Sequence, residues 1–442
     1  MQLIILDPGH FHAALFLKET LPDVSDRVPV FAPVGADLHA FLSRVAQFNS
    51  RQDHPTHWNL TVHSGSDFCG RMLADPGGNV VVMSGNNRGK IDRIRDCVRA
   101  GLHVLADKPW IIEPGEFPSL QAALDAARQK GVVAYDAMTQ RFEISCNLQR
   151  ALVNDAEVFG APVPGSLSEP SVRMESVHYL LKQIAGAPLL RPVWFFDIRQ
   201  QGEGLTDVGT HLVDLVQWTL LPDQPIDFES EIEVLQGARW PTLLTREQFQ
   251  RITGEQEFSH GLREAVKGQH LEYFANNRVR YTIRGIHVQL DIKWEYEAPP
   301  GSKDTELAVF RGTKSRVELR QGAEESFRPE VFVVPNQMEQ KSDLLAALAR
   351  RVALLQDTYP GLAVQEEPAR LRLVIPDRLR IDHEAHFALL VRRYLSYVRN
   401  PRAVPAWEKS NMLAKYFVTT RGVELARQAA SATNDCSSKA KP

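Results

Sequence analysis

The chain has 442 residues, a length that exceeds one ordinary hydrophobic core and therefore predicts two domains. Hydrophobic residues make up 43% and charged residues 24%, as in globular proteins, and the formal net charge is only −3. The charges form no long blocks, which argues against a nucleic-acid partner or a basic membrane-binding patch. No stretch approaches the roughly 20 apolar residues of a membrane span, and no signal-like segment is present, so we expect no membrane association and a cytoplasmic location.

Two observations bear on metal binding. The four cysteines are scattered, lack the paired spacing of a zinc site, and suit a reducing compartment. His383 and His386 lie three residues apart, a spacing that could bind a metal, but no further residue in the sequence completes the set. The sequence therefore predicts a surface helix start at His383 and no metal site.

The first 140 residues alternate between strand and helix patterns. Apolar runs predict strands at Leu3 to Leu6, Val28 to Phe31, Asn79 to Met83, His103 to Ala106 and Val132 to Tyr135, and helical patterns lie at Ala13 to Glu19, Ile91 to Ala100 and Pro118 to Lys130. Repeated β-α units with apolar strands are typical of a parallel, doubly wound sheet. We therefore expect an α/β domain of the Rossmann type over residues 1–140.

The pattern changes after about residue 150. Trp194 to Phe196 is expected to lie inside a strand, with its aromatic rings in the core. Alternating segments predict antiparallel strands at Arg278 to Trp294, Glu306 to Leu319 and Pro329 to Val334, and helices follow at Ser342 to Gln356, His383 to Val398 and Asn411 to Ala429. We expect a C-terminal α+β domain with a mostly antiparallel, open-faced sheet over residues 141–430, and a flexible polar tail over 431–442.

The turn after the first strand reads Asp7-Pro8-Gly9-His10-Phe11-His12. A Rossmann phosphate turn needs glycines so that the backbone can approach a pyrophosphate at a helix N-terminus. Gly9 matches the middle glycine, whereas Asp7 and His12 stand in place of the outer two. The turn therefore indicates either a phosphate site or a tight turn without a ligand.

A lysine follows the strand that ends at Ala106, in the sequence Asp107-Lys108-Pro109. In open α/β sheets the carboxyl edge of the strands is where ligands bind. A lone lysine is more often a solvated surface group. The position of Lys108 makes it a candidate for ligand binding.

A glycine-rich segment from Gly202 leads into a predicted helix that carries Asp207 and His211. The two residues are four apart and hence share one helix face. A carboxylate beside an imidazole can fix its tautomer and raise its basicity, as a general base requires. Asp214, three residues further on, could orient the same ring. The alternative is an ordinary polar helix start.

In this order the motifs resemble the glucose–fructose oxidoreductase / inositol dehydrogenase (Gfo/Idh/MocA) family. Its pattern "AGKHVLCEKP" corresponds to Ala100 to Pro109, and "GGGxLxDxGxHxxD" corresponds to Gln201 to Asp214. Ser84 to Asn87 stands where the family often has a Thr-Pro-Asn turn, and Tyr135 to Phe142 is similar to its "xxRF" segment. The resemblance covers roughly residues 1–220 and is only architectural beyond them.

The resemblance implies an NAD(P)-dependent oxidoreductase that moves a hydride to or from a secondary hydroxyl of a sugar, polyol or similar molecule. Lys108, Asp207 and His211 would meet at one active site, where Lys108 hydrogen-bonds the hydroxyl, His211 exchanges its proton and Asp207 positions sugar and imidazole. The residues expected to line the dinucleotide are Gly9, His10, Phe11, His12, Ser84, Asn87, Asp107, Lys108 and Pro109. Substrate-binding candidates are Arg141, Asp197 and the pair His178 and Lys182, which could share a helix face. A homo-oligomer is also implied.

The chain departs from the family pattern at three places. Asp107 replaces the usual glutamate, and Asp7 would place a negative charge near the pyrophosphate unless His10, His12 or water screens it. After the second strand, Ala32-Pro33 stands where an acid normally binds the adenosine ribose. The cofactor is therefore NAD or NADP, with a slight preference for NAD.

Two other functions fit the same motifs. Some relatives are glycosidases that use tightly bound NAD for a transient oxidation followed by elimination, and steady NADH formation would separate them from a dehydrogenase. The other alternative is a non-catalytic sensor or assembly subunit that binds a dinucleotide. The irregular turn at Asp7 favours it slightly, and the intact Lys108, Asp207 and His211 argue against it.

Overall fold

The computed structural model describes residues 1–184 and 187–439. The chain folds into two compact units. The first comprises Met1–Thr139, Arg191–Gly202 and Asp382–Lys409, and the second comprises Gln140–Leu190, Glu203–Ile381 and Ser410–Pro442. The sequence predicted two consecutive domains, 1–140 and 141–430. Two segments of the second predicted range, Arg191–Gly202 and Asp382–Lys409, belong to the first unit.

The elements are numbered in chain order. The strands are β1 (Leu3–Leu6), β2 (Arg27–Ala32), β3 (Asn59–Ser64), β4 (Val80–Met83), β5 (His103–Ala106), β6 (Ala134–Asp136), β7 (Val172–Leu181), β8 (Gln183–Ile184), β9 (Ala187–Pro188), β10 (Ile232–Leu244), β11 (Val266–Lys267), β12 (His270–Ile283), β13 (Ile286–Glu297), β14 (Thr305–Arg311), β15 (Ser315–Gln321), β16 (Glu330–Pro335), β17 (Ala363–Glu366) and β18 (Leu371–Val374). The α-helices are α1 (His12–Leu15), α2 (Ala36–Ser50), α3 (Phe68–Ala74), α4 (Lys90–Arg99), α5 (Phe117–Lys130), α6 (Ile144–Val153), α7 (Val208–Leu220), α8 (Phe228–Glu231), α9 (Arg246–Thr253), α10 (Lys341–Leu355), α11 (His383–Arg399) and α12 (Glu408–Lys439).

The first unit is built on a parallel sheet. Among the described residues it has six strands in the order β3-β2-β1-β4-β5-β6, and each neighbouring pair is parallel. The central strands β1 and β4 are apolar and buried along their whole length, as strands covered on both faces must be. The predicted Rossmann-type sheet is thus confirmed, and the strand order reverses between β1 and β4.

The sequence patterns locate five strands of this sheet within two residues of their observed ends, but α2, β3 and α3 were missed. β3 lies at an edge with mostly exposed side chains, so it has no apolar run to reveal it. Helix α1 is shorter than predicted and ends at Leu15 instead of Glu19. Beyond it, the amides of Leu17 and Lys18 donate to carbonyls three residues back, which tightens the chain into turns.

Helix α11 packs with the first unit through aromatic contacts. The ring of Phe387 lies 5.2 Å from that of Phe16, and the Tyr394 hydroxyl donates to the Val133 carbonyl at 3.4 Å. The helix begins after Asp382, as predicted, but the expected surface position is wrong for His386, which is 5% exposed. Burial of this apolar face is what attaches a segment so distant in sequence to the Rossmann sheet.

The segment from Arg191 to Gly202 also belongs to the first unit. The predicted strand at Trp194 to Phe196 is wrong, because Val193–Phe196 forms a 3-10 helix in which the Phe195 amide donates to the Pro192 carbonyl. Phe195 and Phe196 are buried, in agreement with the core role expected of them.

The second unit contains a mixed sheet that is mostly antiparallel. In the described part of the chain its strands follow the order β10-β12-β13-β7-β14-β15-β16-β18-β17, with β11 beside β12 and only β7 and β13 paired in parallel. Helices α6 and α7 pack against each other, and α7 packs on β7 and β13. This confirms the predicted α+β architecture of the C-terminal half.

Two of the long alternating segments are hairpins. Arg278 to Trp294 is divided between β12 and β13 by Arg284 and Gly285, whose φ angles of 48° and 75° form a turn that suits antiparallel strands. The segment Glu306 to Leu319 is likewise split between β14 and β15. The apolar positions are odd-numbered before Arg284 and even-numbered after Gly285, and the polar stretch from Gly312 to Lys314 interrupts the second segment, so a change in the pattern marks each turn.

The last helix extends beyond its predicted end at Ala429 and reaches Lys439. The alanines at 429, 430 and 432 favour helix, which accounts for the continuation into the stretch expected to be a flexible tail. Residues 440–442 of that tail lie outside the described residues. Every helix in the described ranges is too short or too polar to cross a bilayer.

Candidate active site

The turns after β1 and β4 meet at the point where the strand order of the first unit reverses. The His10 amide donates to the Ser84 carbonyl at 2.7 Å. A Cβ built on Gly85 would lie 2.4 Å from the Asp7 carbonyl oxygen, so only glycine allows this approach. Ligands of doubly wound sheets bind in the crevice at this reversal. The expected phosphate turn therefore lies at the carboxyl edge of the sheet, beside the reversal in strand order.

The charge of Asp7 is compensated within the first unit. Arg93 Nη1 lies 2.6 Å from Asp7 Oδ2. Burial raises the pKa of Asp7, and the cations of Arg93 and Lys90 oppose that shift. The sequence suggested His10, His12 or water as the screening group, but Arg93, 86 residues further along the chain, makes the ion pair.

Four residues expected to line the dinucleotide form one compact cluster. Asp107 Oδ2 lies 2.9 Å from His12 Nδ1, 3.2 Å from His10 Nδ1 and 3.0 Å from the Ser84 hydroxyl. Burial lowers the pKa of His12 to about 3, so this imidazole is neutral near pH 7. The polar atoms of His12, Ser84 and Asp107 are thus directed at one another.

An acid that the sequence analysis missed lies beside Gly9. Asp37, in the first turn of α2, accepts a hydrogen bond from Trp194 Nε1 at 2.8 Å. A Cβ built on Gly9 would lie 3.2 Å from Asp37 Oδ2 and 3.6 Å from Trp194 Cζ2. An acid that binds the adenosine ribose is usually found directly after β2, where this chain has Ala32-Pro33. Asp37 lies five residues beyond the end of β2. Its position one turn into a helix is the signal that could have revealed it.

Hydrogen bonds of Asn87 and Lys90 stabilise the carboxyl edge of the sheet next to Lys108. The Asn87 amide donates to the Gln201 carbonyl at 2.8 Å, and Lys90 Nζ donates to Asn87 Oδ1 at 2.5 Å and to the Asp107 carbonyl at 3.0 Å. Lys90 is fully buried, which lowers its pKa to about 8. Asn87 was expected to contact the dinucleotide, but its side chain is engaged within the protein.

Lys108 directly follows β5, at the carboxyl end of the parallel sheet. It is half-buried, and it precedes the buried Pro109 through a cis peptide bond. Lys108 belongs to the first unit, whereas Asp207 and His211 belong to the second. The observed strand end agrees with the predicted location of Lys108 at the ligand-binding edge.

Asp207 and His211 lie at the start of α7 in the second unit. Asp207 occupies the N-cap position, and His211 is half-buried one turn later. The segment before them is fixed against β12, because the Leu205 amide donates to Asn277 Oδ1 at 2.9 Å and a Cβ on Gly204 would lie 1.9 Å from the Ala275 carbonyl oxygen. The helix start that carries both residues is therefore firmly positioned.

Asp214 was expected to orient His211, but it is committed elsewhere. Arg141 donates to its carboxylate through Nε at 2.6 Å and Nη2 at 2.7 Å, and Lys415 Nζ lies at 3.1 Å. Burial by itself raises the pKa of Asp214, yet the two cations lower it to about 2. Arg141, a predicted substrate ligand, is thus held in a buried ion pair.

His178 and Lys182 were considered as a helical pair, but the chain there is strand β7. The two side chains still meet, because both contact Asp304 Oδ2, at 2.8 Å from His178 Nδ1 and 2.5 Å from Lys182 Nζ. The Ser176 hydroxyl lies 2.8 Å from His178 Nε2.

Asp197, another predicted substrate ligand, lies in the first unit. It accepts hydrogen bonds from Arg199 and Gln200 and so stabilises its own turn.

Glu306 lies near this group and was missed as a candidate. It lines a buried cavity of about 20 Å³ together with Ser176, Leu212 and Leu215. Burial, assisted by the charges of Glu143 and Asp304, raises the pKa of Glu306 to about 7. The cavity is large enough for about one water molecule.

Comparisons with known structures extend these observations. The crystal structure of GenD2 from gentamicin A biosynthesis in complex with NAD has 17% sequence identity and a TM-score of 0.57, and covers 98% of this chain and 94% of that chain. The structure of KijD10, a 3-ketoreductase from Actinomadura kijaniata, in complex with NADP and TDP-benzene has 15% identity and a TM-score of 0.57, and covers 95% and 97%. Both likenesses show a common fold. A comparison with curated proteins gives no match.

Two further comparisons show the family. Residues 148–427 match the family model described as "Putative oxidoreductase C terminal domain". The crystal structure of a "putative oxidoreductase" from Parabacteroides merdae has 39% identity and a TM-score of 0.94, and covers 97% of this chain and 98% of that chain. The chain therefore belongs to the oxidoreductase family defined by this C-terminal domain, and its sequence motifs resemble those of the Gfo/Idh/MocA group.

Proposed function

We propose that the chain transfers a hydride reversibly between a nicotinamide dinucleotide and a secondary hydroxyl of a sugar, polyol or related molecule. The observation that carries the proposal is Lys108 at the carboxyl end of β5, in a sheet with the dinucleotide-binding strand order. A relative of the same fold was crystallised with NAD, and another, named a 3-ketoreductase, with NADP and TDP-benzene. A homo-oligomeric state and a cytoplasmic location stay predictions.

The proposed chemistry divides among three side chains. A bound dinucleotide would supply the hydride acceptor or donor. His211 would take the hydroxyl proton during oxidation and return it during reduction, with Asp207 as its positioning partner. The Lys108 ammonium would donate a hydrogen bond to the substrate oxygen and stabilise the negative charge that develops there.

The substrate would be held in part by the cluster of His178 on β7, Lys182 directly after β7, and Asp304 directly before β14. His178, Lys182 and Asp304 are half-buried and present donors and an acceptor within one small region. Such groups suit the hydroxyls of a sugar, which both donate and accept. We leave Arg141 and Asp197 out of this set because Arg141 is held in a buried ion pair with Asp214 and Asp197 stabilises its own turn.

A screen of sugars and polyols with NAD or NADP tests the proposal. Steady formation of reduced nicotinamide, followed by absorbance, is expected with at least one substrate. A glycosidase that oxidises only transiently would release product without accumulating NADH, and a sensor would bind dinucleotide without turnover. Native mass spectrometry of the purified protein would show whether a dinucleotide copurifies.

Gly9→Ala is expected to weaken NAD(H) binding by about tenfold or more, because a methyl group would hold a pyrophosphate away from the backbone of this turn. Titration calorimetry measures the effect. Gly35→Ala is the matched control, since nothing lies within 4 Å of a Cβ at that exposed position. Equal affinities for Gly9→Ala and the control would remove the turn from the binding site.

Asp37 supports NAD over NADP. Its carboxylate lies near Gly9, where an acid suits the ribose hydroxyls and repels a 2′-phosphate. Asp37→Ser is expected to lower the preference for NAD over NADP by at least about tenfold, because like charges in a binding site cost several kcal/mol. Parallel titrations with both cofactors provide the ratio, and Asp53→Ser, at an exposed position of the same unit, is the control. An unchanged ratio would exclude Asp37 as the selecting residue.

A further inference from the structure

A group of metal-ligand type lies at the carboxyl ends of β1 and β5 in the first unit. It consists of His10, His12 and Asp107, whose candidate ligand atoms all lie within 4.8 Å of one another. The local sequence His10-Phe11-His12 places two imidazoles two residues apart, and the fold adds a carboxylate from 95 residues further along. The sequence alone predicts no metal here because residue spacing does not show that Asp107 lies beside these histidines.

Hydrogen bonds within the protein do not satisfy every polar atom of this group. His10, His12 and Ser84 all direct polar atoms at Asp107 Oδ2. Among the described residues, Asp107 Oδ1 is buried without a hydrogen-bond partner, and His10 Nδ1, although 3.2 Å from Asp107 Oδ2, is not aligned for a hydrogen bond. Asp107 is 3% exposed, and a buried polar atom without a partner costs about 1–3 kcal/mol. A ligand that coordinates these atoms would remove that cost.

We propose that His10, His12 and Asp107 bind a divalent transition-metal ion. Zinc takes imidazole nitrogen and carboxylate oxygen ligands at about 2.0–2.2 Å, so ligand atoms at tetrahedral positions lie about 3.3 Å apart. The observed separations of 2.9 Å and 3.2 Å from Asp107 Oδ2 to the two Nδ1 atoms are shorter by no more than a few tenths of an ångström. A small side-chain adjustment therefore opens the group to the size of a zinc site.

The surroundings hold the imidazoles in place. The His12 ring contacts Phe387, with centroids 4.7 Å apart, and the His10 ring meets the His12 ring edge-on at 4.2 Å. The backbone amide of His10 is fixed by the Ser84 carbonyl. Ligands that are already oriented bind a metal without a further ordering cost.

The ligand set also indicates the kind of metal. Two imidazoles and one carboxylate favour zinc, cobalt or iron over magnesium and calcium, which prefer oxygen ligands. Three protein ligands leave at least one coordination position for water or another oxygen ligand, as in zinc sites that perform chemistry. This site lies in the turn that is proposed to approach the dinucleotide, so it is tested without dinucleotide, and it does not depend on the roles proposed for Lys108, Asp207 and His211.

The test uses the full-length, tag-free protein without dinucleotide. The protein is treated with a chelator, dialysed, and titrated with Zn²⁺ by calorimetry, with bound metal counted by mass spectrometry. One Zn²⁺ per chain is expected. Substitutions His10→Gln and Asp107→Asn should each weaken binding by at least about tenfold, since even groups that only orient metal ligands contribute 10–100-fold. His39→Gln, on the exposed face of α2, is the matched control.

Co²⁺ provides a second readout that does not depend on stoichiometry. Co²⁺ bound by two imidazoles and a carboxylate should show strong visible absorption, which His10→Gln should abolish while circular dichroism stays native. His10 is the variant of choice because it is only half-buried, whereas a change at His12 could unfold the domain. Failure to bind Zn²⁺, equal binding by His10→Gln and His39→Gln, or equal competition by Mg²⁺ would each overturn the proposal.

Discussion

Replacing His211 with asparagine is expected to lower kcat by about 10²–10⁴-fold, the usual contribution of general acid–base catalysis. Asparagine keeps the polar shape at the start of α7 but cannot accept a proton from a hydroxyl. Dinucleotide affinity should be retained, because no step of binding requires that proton. The rate of oxidation by the wild-type protein should also rise with pH, since a protonated imidazole cannot act as a base.

The measurements for His211 are turnover, its pH profile and dinucleotide affinity, with the substrate found in the screen. His287→Asn is the matched control, a half-buried histidine on β13 that has no proposed role. The double variant with Asp207→Asn should lose less than the sum of the two single effects, as for groups that act together. An unchanged kcat and pH profile would show that His211 is not the base, and His178 would be the next candidate. If Lys108→Ala also left kcat unchanged, the dehydrogenase proposal would fail.

Asp214→Asn is expected to cost about 3–5 kcal/mol of unfolding free energy, the usual effect of breaking a buried ion pair. Asp214 is 2% exposed and Lys415 is fully buried, and Arg141 binds both oxygens of the Asp214 carboxylate. Asparagine would remove the carboxylate charge that both cations contact in this buried region. Urea unfolding near pH 7 measures the loss.

Asp223→Asn provides the contrast for the Asp214 variant. Asp223 meets Arg150 at 3.4 Å, but its side chain is 72% exposed, so the change should cost less than about 1 kcal/mol. Asparagine also tolerates the positive φ of 59° at this position. Similar losses for the two variants would show that the Arg141–Asp214–Lys415 group is not a stabilising core element.

The contribution of Asp214 should depend on pH in a defined direction. Its folded pKa of about 2 lies below the ordinary value of 3.8, so the folded state favours the charged form. The stabilisation is therefore fully present above about pH 5 and is lost as the pH falls towards about 2. Unfolding at several pH values should show the difference between wild type and Asp214→Asn constant down to about pH 5 and smaller below it.

Local patterns in the sequence were enough to predict the Rossmann-type half of the fold. Apolar strands such as Val80–Met83, separated by amphipathic helices, admit little besides a parallel sheet with both faces covered. The acid-Lys-Pro motif and the Asp207 and His211 spacing likewise depend on neighbouring residues, so they could be read directly. Elements without an apolar periodicity, such as the edge strand Asn59–Ser64, gave no such signal.

The partners of the polar side chains could be found only in the folded chain. Asp214 was expected to meet His211, three residues away, but it binds Arg141 and Lys415, which are 73 and 201 residues distant. Asp107 meets His12 across 95 residues in the same way. A buried charge takes whichever opposite charge or donor the packing of other elements brings within reach. That choice depends on the path of the whole chain, which hydrophobic periodicity and residue spacing do not encode.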